Sequence, residues 1–164
     1  VGRVRFLAFL VPSRANIAEY RRHTQEVWRE VEAVNERFGR DGWKPIEVFY
    51  EDNRPQAFAG LALADVLLVN PIADGMNLVA KEGPIINERD AVLVLSRDAG
   101  AHAQLGGWAL SIAPRDLEGT ASVLERALEM PPAERRRRIA AMRLAIEGED
   151  LSWWMGRQLH DLLG

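Results

Sequence analysis

Residues 64–84 read Ala-Asp-Val-Leu-Leu-Val-Asn-Pro-Ile-Ala-Asp-Gly-Met-Asn-Leu-Val-Ala-Lys-Glu-Gly-Pro. The first seven of them have the length and the branched apolar content of a strand that is buried on both faces. Pro71 ends this strand, because proline cannot donate a hydrogen bond to a neighbouring strand. A helix is predicted over residues 76–83. A buried strand that leads through a glycine into a helix is typical of a parallel α/β protein.

The junction between this strand and this helix is also a place where such proteins bind anions. We expect Gly75 to turn with a positive φ, as glycine can do without a steric penalty. The first backbone N–H groups of a helix have no partner inside it and point out of its N-terminus. Those of Met76, Asn77 and Leu78 would therefore face a negative group, for which a phosphate is the natural ligand.

Two carboxylates accompany these donors. Asp74 stands beside them as an acceptor for hydroxyl groups, and Glu82 lies one helical turn beyond Leu78 on the same face. A phosphate site together with acceptors for sugar hydroxyls predicts a nucleotide sugar as ligand. The alternative is purely structural: Asp74 caps the helix, Glu82 is solvated, and Leu78 and Val79 belong to the core.

Strands alternate with helices along the rest of the chain, which indicates a parallel sheet. Strands are predicted at 4–11, 46–50, 66–69, 91–95 and 109–113. Helices are predicted at 16–38 with Gly39 as a C-terminal cap, 56–63, 76–83, 99–105, 117–130, 133–146 and 151–163. Polar side chains follow each strand where ligands bind in such sheets, namely at Arg14 and in 51–54, 70–77, 96–100 and 114–116.

Composition and charge limit the classes of protein to consider. With 164 residues, of which 48% are hydrophobic and 27% charged, the chain is expected to form a single soluble domain over 1–164. No apolar run approaches the roughly 20 residues of a membrane span, and no secretory signal is apparent, so a cytoplasmic protein is expected. A net charge of −3 gives no reason to expect nucleic acid or a membrane as partner.

Cysteine and metal chemistry are not indicated either. The chain contains no cysteine, so thiolate ligands, disulfides and a thiol nucleophile are unavailable. The three histidines, at positions 23, 102 and 160, are far apart and lack carboxylates at ligand spacing, and no metal site is predicted. In the basic run 135–138, Glu134 can pair with Arg138 at i,i+4, which favours a solvated helix over a nucleic-acid patch.

The nine residues 74–82, Asp-Gly-Met-Asn-Leu-Val-Ala-Lys-Glu, resemble the donor-site signature of the trehalose-6-phosphate synthase family of glycosyltransferases. The similarity continues in the same order through 4–14, through 92–96 followed by 99–101, and through 127–130 with 134 and 135. The resemblance implies the carboxy-terminal, nucleotide-sugar-binding domain of a GT-B enzyme, which has two Rossmann-like domains. The expected fold is thus a parallel sheet with helices on both faces, and we expect it to lack the first strand of the domain.

The resemblance also implies an activity. Such enzymes transfer glucose, with retention of configuration, from a nucleoside diphosphate glucose such as UDP- or GDP-glucose to glucose 6-phosphate. The product is trehalose 6-phosphate, and neither a metal nor another cofactor is expected. Asp74 would act in catalysis by holding the transferred sugar, Glu82 would take the ribose hydroxyls, and Arg14 would hold the acceptor phosphate. The full donor-binding set would be Asp74, Gly75, Met76, Asn77, Leu78, Val79 and Glu82.

Some parts of the family pattern are not found in this sequence. The Arg-x-Asp-x-x-Lys-Gly segment, whose cations neutralise the donor diphosphate, does not occur in the 164 residues. We therefore expect the chain alone to be inactive and to act with an amino-terminal domain of the same protein, on which the helix in 151–164 would pack. Two alternatives stay open, a pseudo-glycosyltransferase of the validoxylamine phosphate synthase type and a non-catalytic regulatory or scaffold relative. Assembly into a homo-oligomer is also left open.

Overall fold

The computed structural model describes residues 2, 4–13 and 16–163. These residues form two compact units, one up to Gly60 and one from Leu61. The strands are β1 (Phe6–Leu10), β2 (Ile46–Tyr50), β3 (Val66–Val69), β4 (Val92–Ser96) and β5 (Leu110–Ile112). The helices are α1 (Ala18–Phe38), α2 (Arg54–Leu63), α3 (Leu78–Ile86), α4 (His102–Leu105), α5 (Leu117–Leu128), α6 (Pro132–Gly148) and α7 (Leu151–Leu163).

The first unit contains a parallel pair of strands, β1 and β2, in which Phe6 lies opposite Ile46. Asn35 of α1 fastens the helix to β2, since its side-chain amide donates to the carbonyl oxygen of Ile46 and accepts from the N–H of Ile46, both at 2.9 Å. Gly39 caps α1 through an N–H that donates to the carbonyl oxygen of Asn35 at 2.8 Å. The predicted C-terminal cap of this long helix is therefore confirmed.

The second unit is built on the parallel sheet β3-β4-β5, with β4 in the centre. All five residues of β4 are buried, and the first four alternate between two separate apolar clusters. Leu93 and Leu95 face a cluster that includes residues of α3, α4 and α6. Val92 and Val94 face the other cluster, to which α5 contributes Ala127. The predicted α/β class, with parallel strands and helices on both faces of a sheet, is confirmed.

Helix α6 is held against the rest of this unit by two partly buried arginines. Arg135 donates from Nε to the carbonyl oxygen of Asp90 and from a terminal nitrogen to that of Asp65, both at 2.9 Å. Arg143 donates from Nε to the carbonyl oxygen of Pro84 at 2.8 Å. The predicted pair of Glu134 and Arg138 is present at 2.7 Å. The prediction of a solvated helix was nevertheless wrong for Arg135, whose side chain is only 16% exposed.

Several elements are shorter than predicted, because residues at their ends belong to loops. The first strand begins at Phe6 rather than at residue 4, and α4 begins at His102 rather than at 99. Residues 98, 100 and 101 instead form backbone hydrogen bonds with the loop that follows β3. In the described part of the chain, no helix is both long and apolar enough to cross a membrane.

Candidate functional site

The loops that follow β3 and β4 are joined by backbone hydrogen bonds. The N–H of Asp74 donates to the carbonyl oxygen of Asp98 at 3.1 Å, and the N–H of Gly100 donates to that of Asp74 at 2.9 Å. One step further on, Ala101 donates to the carbonyl oxygen of Met76 at 2.7 Å. Residues 74–76 thus lie along 98–101 like a short pair of parallel strands. The backbone of residues 74–76 is therefore held in place by the neighbouring loop.

The carboxylate of Asp74 is oriented by its own loop. Oδ1 accepts from the N–H of Met76 at 3.1 Å, and Oδ2 accepts from Nδ2 of Asn77 at 3.0 Å. The residue is exposed, and each carboxylate oxygen keeps a lone pair for a further donor. Asp74 is an acceptor of fixed direction, which is what recognition of hydroxyl groups requires. The alternative in which Asp74 caps the helix is wrong, because another residue takes that position.

Asn77 is the N-cap of α3, and its position and backbone conformation show that two predictions were wrong. Its Oδ1 accepts from the N–H of Ala80 at 3.0 Å, so the helix starts at Leu78 and not at residue 76. Its φ is 74°, whereas Gly75 does not have a positive φ. Asparagine tolerates the left-handed region, since its short polar side chain can bond locally. Here the Asn77 amide bonds to both Asp74 and Ala80, which offsets the cost of that conformation.

The N–H groups available at the start of α3 also differ from the expected set. The N–H of Met76 is occupied by Asp74. Those of Asn77, Leu78 and Val79 have no acceptor among the described residues. Leu78 and Val79 are 62% and 45% exposed, so the structural alternative that placed them in the core is wrong for the described structure. An exposed first turn with free donors, beside an oriented carboxylate, can bind an oxyanion and a hydroxyl side by side.

Two more of the predicted site residues are Glu82 and Arg14. Glu82 is half-buried one turn beyond Leu78, as predicted, and its carboxylate makes no ion pair or hydrogen bond with a described residue. It therefore remains available as a second acceptor. Arg14, predicted to hold the acceptor phosphate, lies outside the described residues.

Sequence reasoning missed several residues next to the 74–77 loop. An open depression beside Gly75 and Met76 is also lined by Lys81, Gln104 and Glu149. Lys81 falls within the quoted signature, and its charge could have singled it out. Gln104 and Glu149 carry no such signal, because they come from α4 and from the end of α6. Only the packing of these helices brings them to the loop.

Comparison with known proteins decides the family of this chain. The family model described as glycosyltransferase family 20 matches residues 1–163. This chain belongs to glycosyltransferase family 20. The 74–77 loop and the start of α3 are therefore the family 20 version of a strand–helix junction in a Rossmann-like unit.

Several similar proteins are named as trehalose-phosphate synthases, one of them bifunctional. The chain is 39% identical over 164 residues to a trehalose-6-phosphate synthase of Sinorhizobium fredii. It is 40% identical over 156 residues to a bifunctional trehalose-6-phosphate synthase/phosphatase of Thermoproteus tenax. A crystal structure of a UDP-forming α,α-trehalose-phosphate synthase of Burkholderia xenovorans, in complex with glucose-6-phosphate, matches 99% of this chain with a TM-score of 0.91 and 37% identity.

The family 20 chain covers only part of each of these proteins. The match to the Sinorhizobium protein includes 98% of this chain, and the match to the Thermoproteus protein includes 93% of it. It spans 35% of the former, 21% of the latter and 36% of the Burkholderia chain. The resemblance noted in the sequence is confirmed, and so is the likeness of the fold to GT-B trehalose-phosphate synthases.

Proposed function

We propose that this chain supplies the donor-binding half of an enzyme that transfers glucose from a nucleoside diphosphate glucose to glucose 6-phosphate, giving trehalose 6-phosphate. The observation that carries the proposal is the start of α3. There, three N–H groups without acceptors among the described residues stand beside the oriented carboxylate of Asp74. The names of the family 20 relatives support the choice of reaction.

The roles of the side chains follow from their chemistry. Asp74 accepts hydrogen bonds from hydroxyls of the transferred sugar, as an ionised carboxylate does strongly. The N–H groups of Asn77, Leu78 and Val79 meet sugar and diphosphate oxygens, while Gly75 and Met76 shape the loop against them. Glu82 takes the ribose hydroxyls. Arg14 holds the 6-phosphate of the acceptor through the two parallel bonds that a guanidinium can form.

The proposed transfer proceeds with retention and needs no protein nucleophile. The bond between the anomeric carbon and the diphosphate oxygen breaks, and its electron pair leaves on the diphosphate. A hydroxyl oxygen of the acceptor forms the new bond on the same face of the sugar, and its proton passes to a departing diphosphate oxygen. Asp74 orients the ring during this exchange. No metal or other cofactor enters the proposal.

We propose further that the 164 residues alone are inactive. The departing diphosphate carries several negative charges, and helix N–H groups offer it only about half a unit of positive charge. Transition-state stabilisation by a single well-placed donor is typically worth about 3 kcal/mol, and a diphosphate needs several such groups. The cations of the family's Arg-x-Asp-x-x-Lys-Gly segment and an acceptor-binding amino-terminal domain would complete the site.

The test uses the complete enzyme that contains this chain. Calorimetric titration with UDP-glucose and with GDP-glucose, with and without glucose 6-phosphate, measures donor binding, and product analysis identifies any sugar formed. Trehalose 6-phosphate as product supports the proposal. Donor binding without turnover of glucose 6-phosphate would favour coupling of a cyclitol instead, and failure to bind either donor would favour a regulatory or scaffold role.

Asp74→Ala tests the assigned site within the same assay. Loss of a charged acceptor is expected to lower kcat/KM by about tenfold to hundredfold. Asp98→Ala is the matched control, because Asp98 is exposed in the neighbouring loop and its side chain bonds to no described residue. Unchanged transfer and donor affinity in Asp74→Ala would refute the assignment.

A further inference from the structure

Gln104 joins two helices of the second unit beside the 74–77 loop. Its Nε2 donates to the carbonyl oxygen of Ala145 at 3.0 Å and to a carboxylate oxygen of Glu149 at 2.7 Å. Both partners are acceptors, so the orientation of the side-chain amide is determined: the nitrogen must face α6. Gln104 thereby fastens α4 to the last turn of α6.

Stability alone does not account for glutamine at this position. Oε1 of Gln104 is buried and has no hydrogen-bond donor among the described residues. A buried acceptor without a partner is destabilising, whereas an apolar side chain of similar size would bring no such atom. The favourable contribution of Gln104 therefore comes from the two hydrogen bonds of its nitrogen, which connect α4 to the end of α6.

One end of the connection is the junction between α6 and α7. Glu149 is the C-cap of α6, and Asp150 starts α7 by accepting from the N–H of Trp153 at 2.8 Å. None of the described residues of α7 is buried, and Trp153 and Trp154 are 46% and 49% exposed. Glu149 and Asp150 are the only residues between α6 and α7, so a change in the direction of α7 bears on the position of Glu149.

The other end of the connection is the 74–77 loop. The N–H of Gln104 donates to the carbonyl oxygen of Ala101 at 3.2 Å. Ala101 donates in turn to the carbonyl oxygen of Met76 at 2.7 Å, and Gly100 donates to that of Asp74 at 2.9 Å. Two hydrogen bonds in series thus lead from the side chain of Glu149 to the segment that holds the loop.

We propose that Gln104 is a positioning residue that couples the α6–α7 junction to the 74–77 loop, so that the placement of α7 sets the affinity for the donor. Its effect on donor binding rests on the function proposed above. The coupling itself does not, because it concerns the hydrogen bonds of Gly100 and Ala101 and can be measured without a donor.

The coupling is tested by amide hydrogen exchange in the complete enzyme, with Glu149→Ala, Gln104→Met and the double variant. Each single change is expected to speed exchange of the Gly100 and Ala101 amides by about tenfold, and the double variant should exchange no faster than either one. Glu149 is exposed, so Glu149→Ala tests the connection even if Gln104→Met fails to fold. Unchanged exchange, or effects that add in the double variant, would overturn the proposal.

Two further variants separate positioning from simple packing. Glu149→Gln keeps an oxygen that accepts from Nε2 of Gln104, and it should restore slow exchange. Glu147→Ala is the control on the same turn of α6, since Glu147 is exposed and pairs with no described residue, and it should change nothing.

The donor readout completes the test. In Glu149→Ala, the Kd for whichever of UDP-glucose and GDP-glucose the parent enzyme binds should rise by about threefold to tenfold, with the KM for glucose 6-phosphate unchanged. Faster exchange without any change in donor Kd would overturn the positioning role. If the parent enzyme binds neither donor, the proposed function fails, and the exchange rates still decide the coupling.

Discussion

Gly100 lies so close to Gly75 that a Cβ atom at position 100 would overlap the carbonyl oxygen of Gly75 and lie 3.1 Å from the backbone nitrogen of Met76. This approach allows the N–H of Gly100 to reach the carbonyl oxygen of Asp74 at 2.9 Å. The 74–77 loop therefore requires glycine at position 100, because any side chain there would push the backbone of the loop away.

Gly100→Ala should displace the 74–77 loop, because neither the carbonyl of Gly75 nor the backbone of Met76 can give way without breaking the hydrogen bonds to 98–101. A shift of about 1 Å in a binding group can cost up to a hundredfold in rate, so kcat/KM with the donor should fall by about tenfold to hundredfold. The measurement is steady-state kinetics of the complete enzyme with varied donor.

Gly75→Ala serves as the steric control. A Cβ at Gly75 meets no atom within 4 Å, and the residue does not have a positive φ. The amides of Gly100 and Ala101 should keep their protection from hydrogen exchange in this variant and lose it in Gly100→Ala. Equal protection in both variants would contradict the steric argument.

Asn77 combines a helix cap with a left-handed backbone, and two substitutions separate these roles. Asn77→Ala should destabilise the start of α3 by about 2 kcal/mol, from loss of the cap and from the cost of a positive φ for alanine. Asn77→Gly keeps the backbone conformation and should cost less than 1 kcal/mol. Hydrogen exchange of the Ala80 amide measures both, and a larger loss with glycine than with alanine would refute this account.

Arg135 should be among the most sensitive residues on α6. Arg135→Ala removes the Nε donor of the Asp90 carbonyl oxygen and leaves the Asp65 carbonyl oxygen with only the N–H of Val92, which should lower the free energy of unfolding by about 1–3 kcal/mol. Arg136→Ala, at the exposed neighbouring position, should change it by less than about 0.5 kcal/mol. Denaturant unfolding compares the two variants, and similar values for both would mean that the buried contacts contribute nothing.

Glu134 forms ion pairs with Arg137 and Arg138, and these pairs predict that the stability of the protein depends on pH. Hydrogen bonds from Arg137 and then from Arg138 hold the pKa of Glu134 below its ordinary value. A carboxylate whose pKa is lowered by folding stabilises the protein above its unfolded pKa, and this contribution is lost as the pH falls through the folded pKa. The melting temperature of Glu134→Gln should therefore lie below that of the parent at about pH 7, and the gap should close toward about pH 3.

Glu147→Gln is the control for this titration, because Glu147 is exposed on the same helix and has no ion pair with a described residue. Its melting temperature should follow that of the parent over the same pH range. A gap for Glu134→Gln that stays constant down to low pH would show that the pair does not contribute through its charge.

Sequence alone determined the order of strands and helices, the α/β class and the place of the candidate site. The buried run of β4 and the apolar periodicity of α1 are local properties, so they can be seen without a structure. The same holds for a polar residue that follows a strand, as Asp74 does. The family resemblance of 74–82 depends only on residue identity, and family membership confirmed it.

The tertiary structure decided what depends on contacts between distant parts of the chain. Positive φ belongs to Asn77 and not to Gly75, because the Asn77 amide bonds to both Asp74 and Ala80 while the backbone of 74–76 is held by 98–101. The side chain of Arg135 is largely covered because carbonyl groups just before β3 and β4 accept its hydrogen bonds, and Gln104 reaches Glu149 across 45 positions of sequence. Such pairings leave no periodic signal in a sequence, since their energy is gained only when the helices pack.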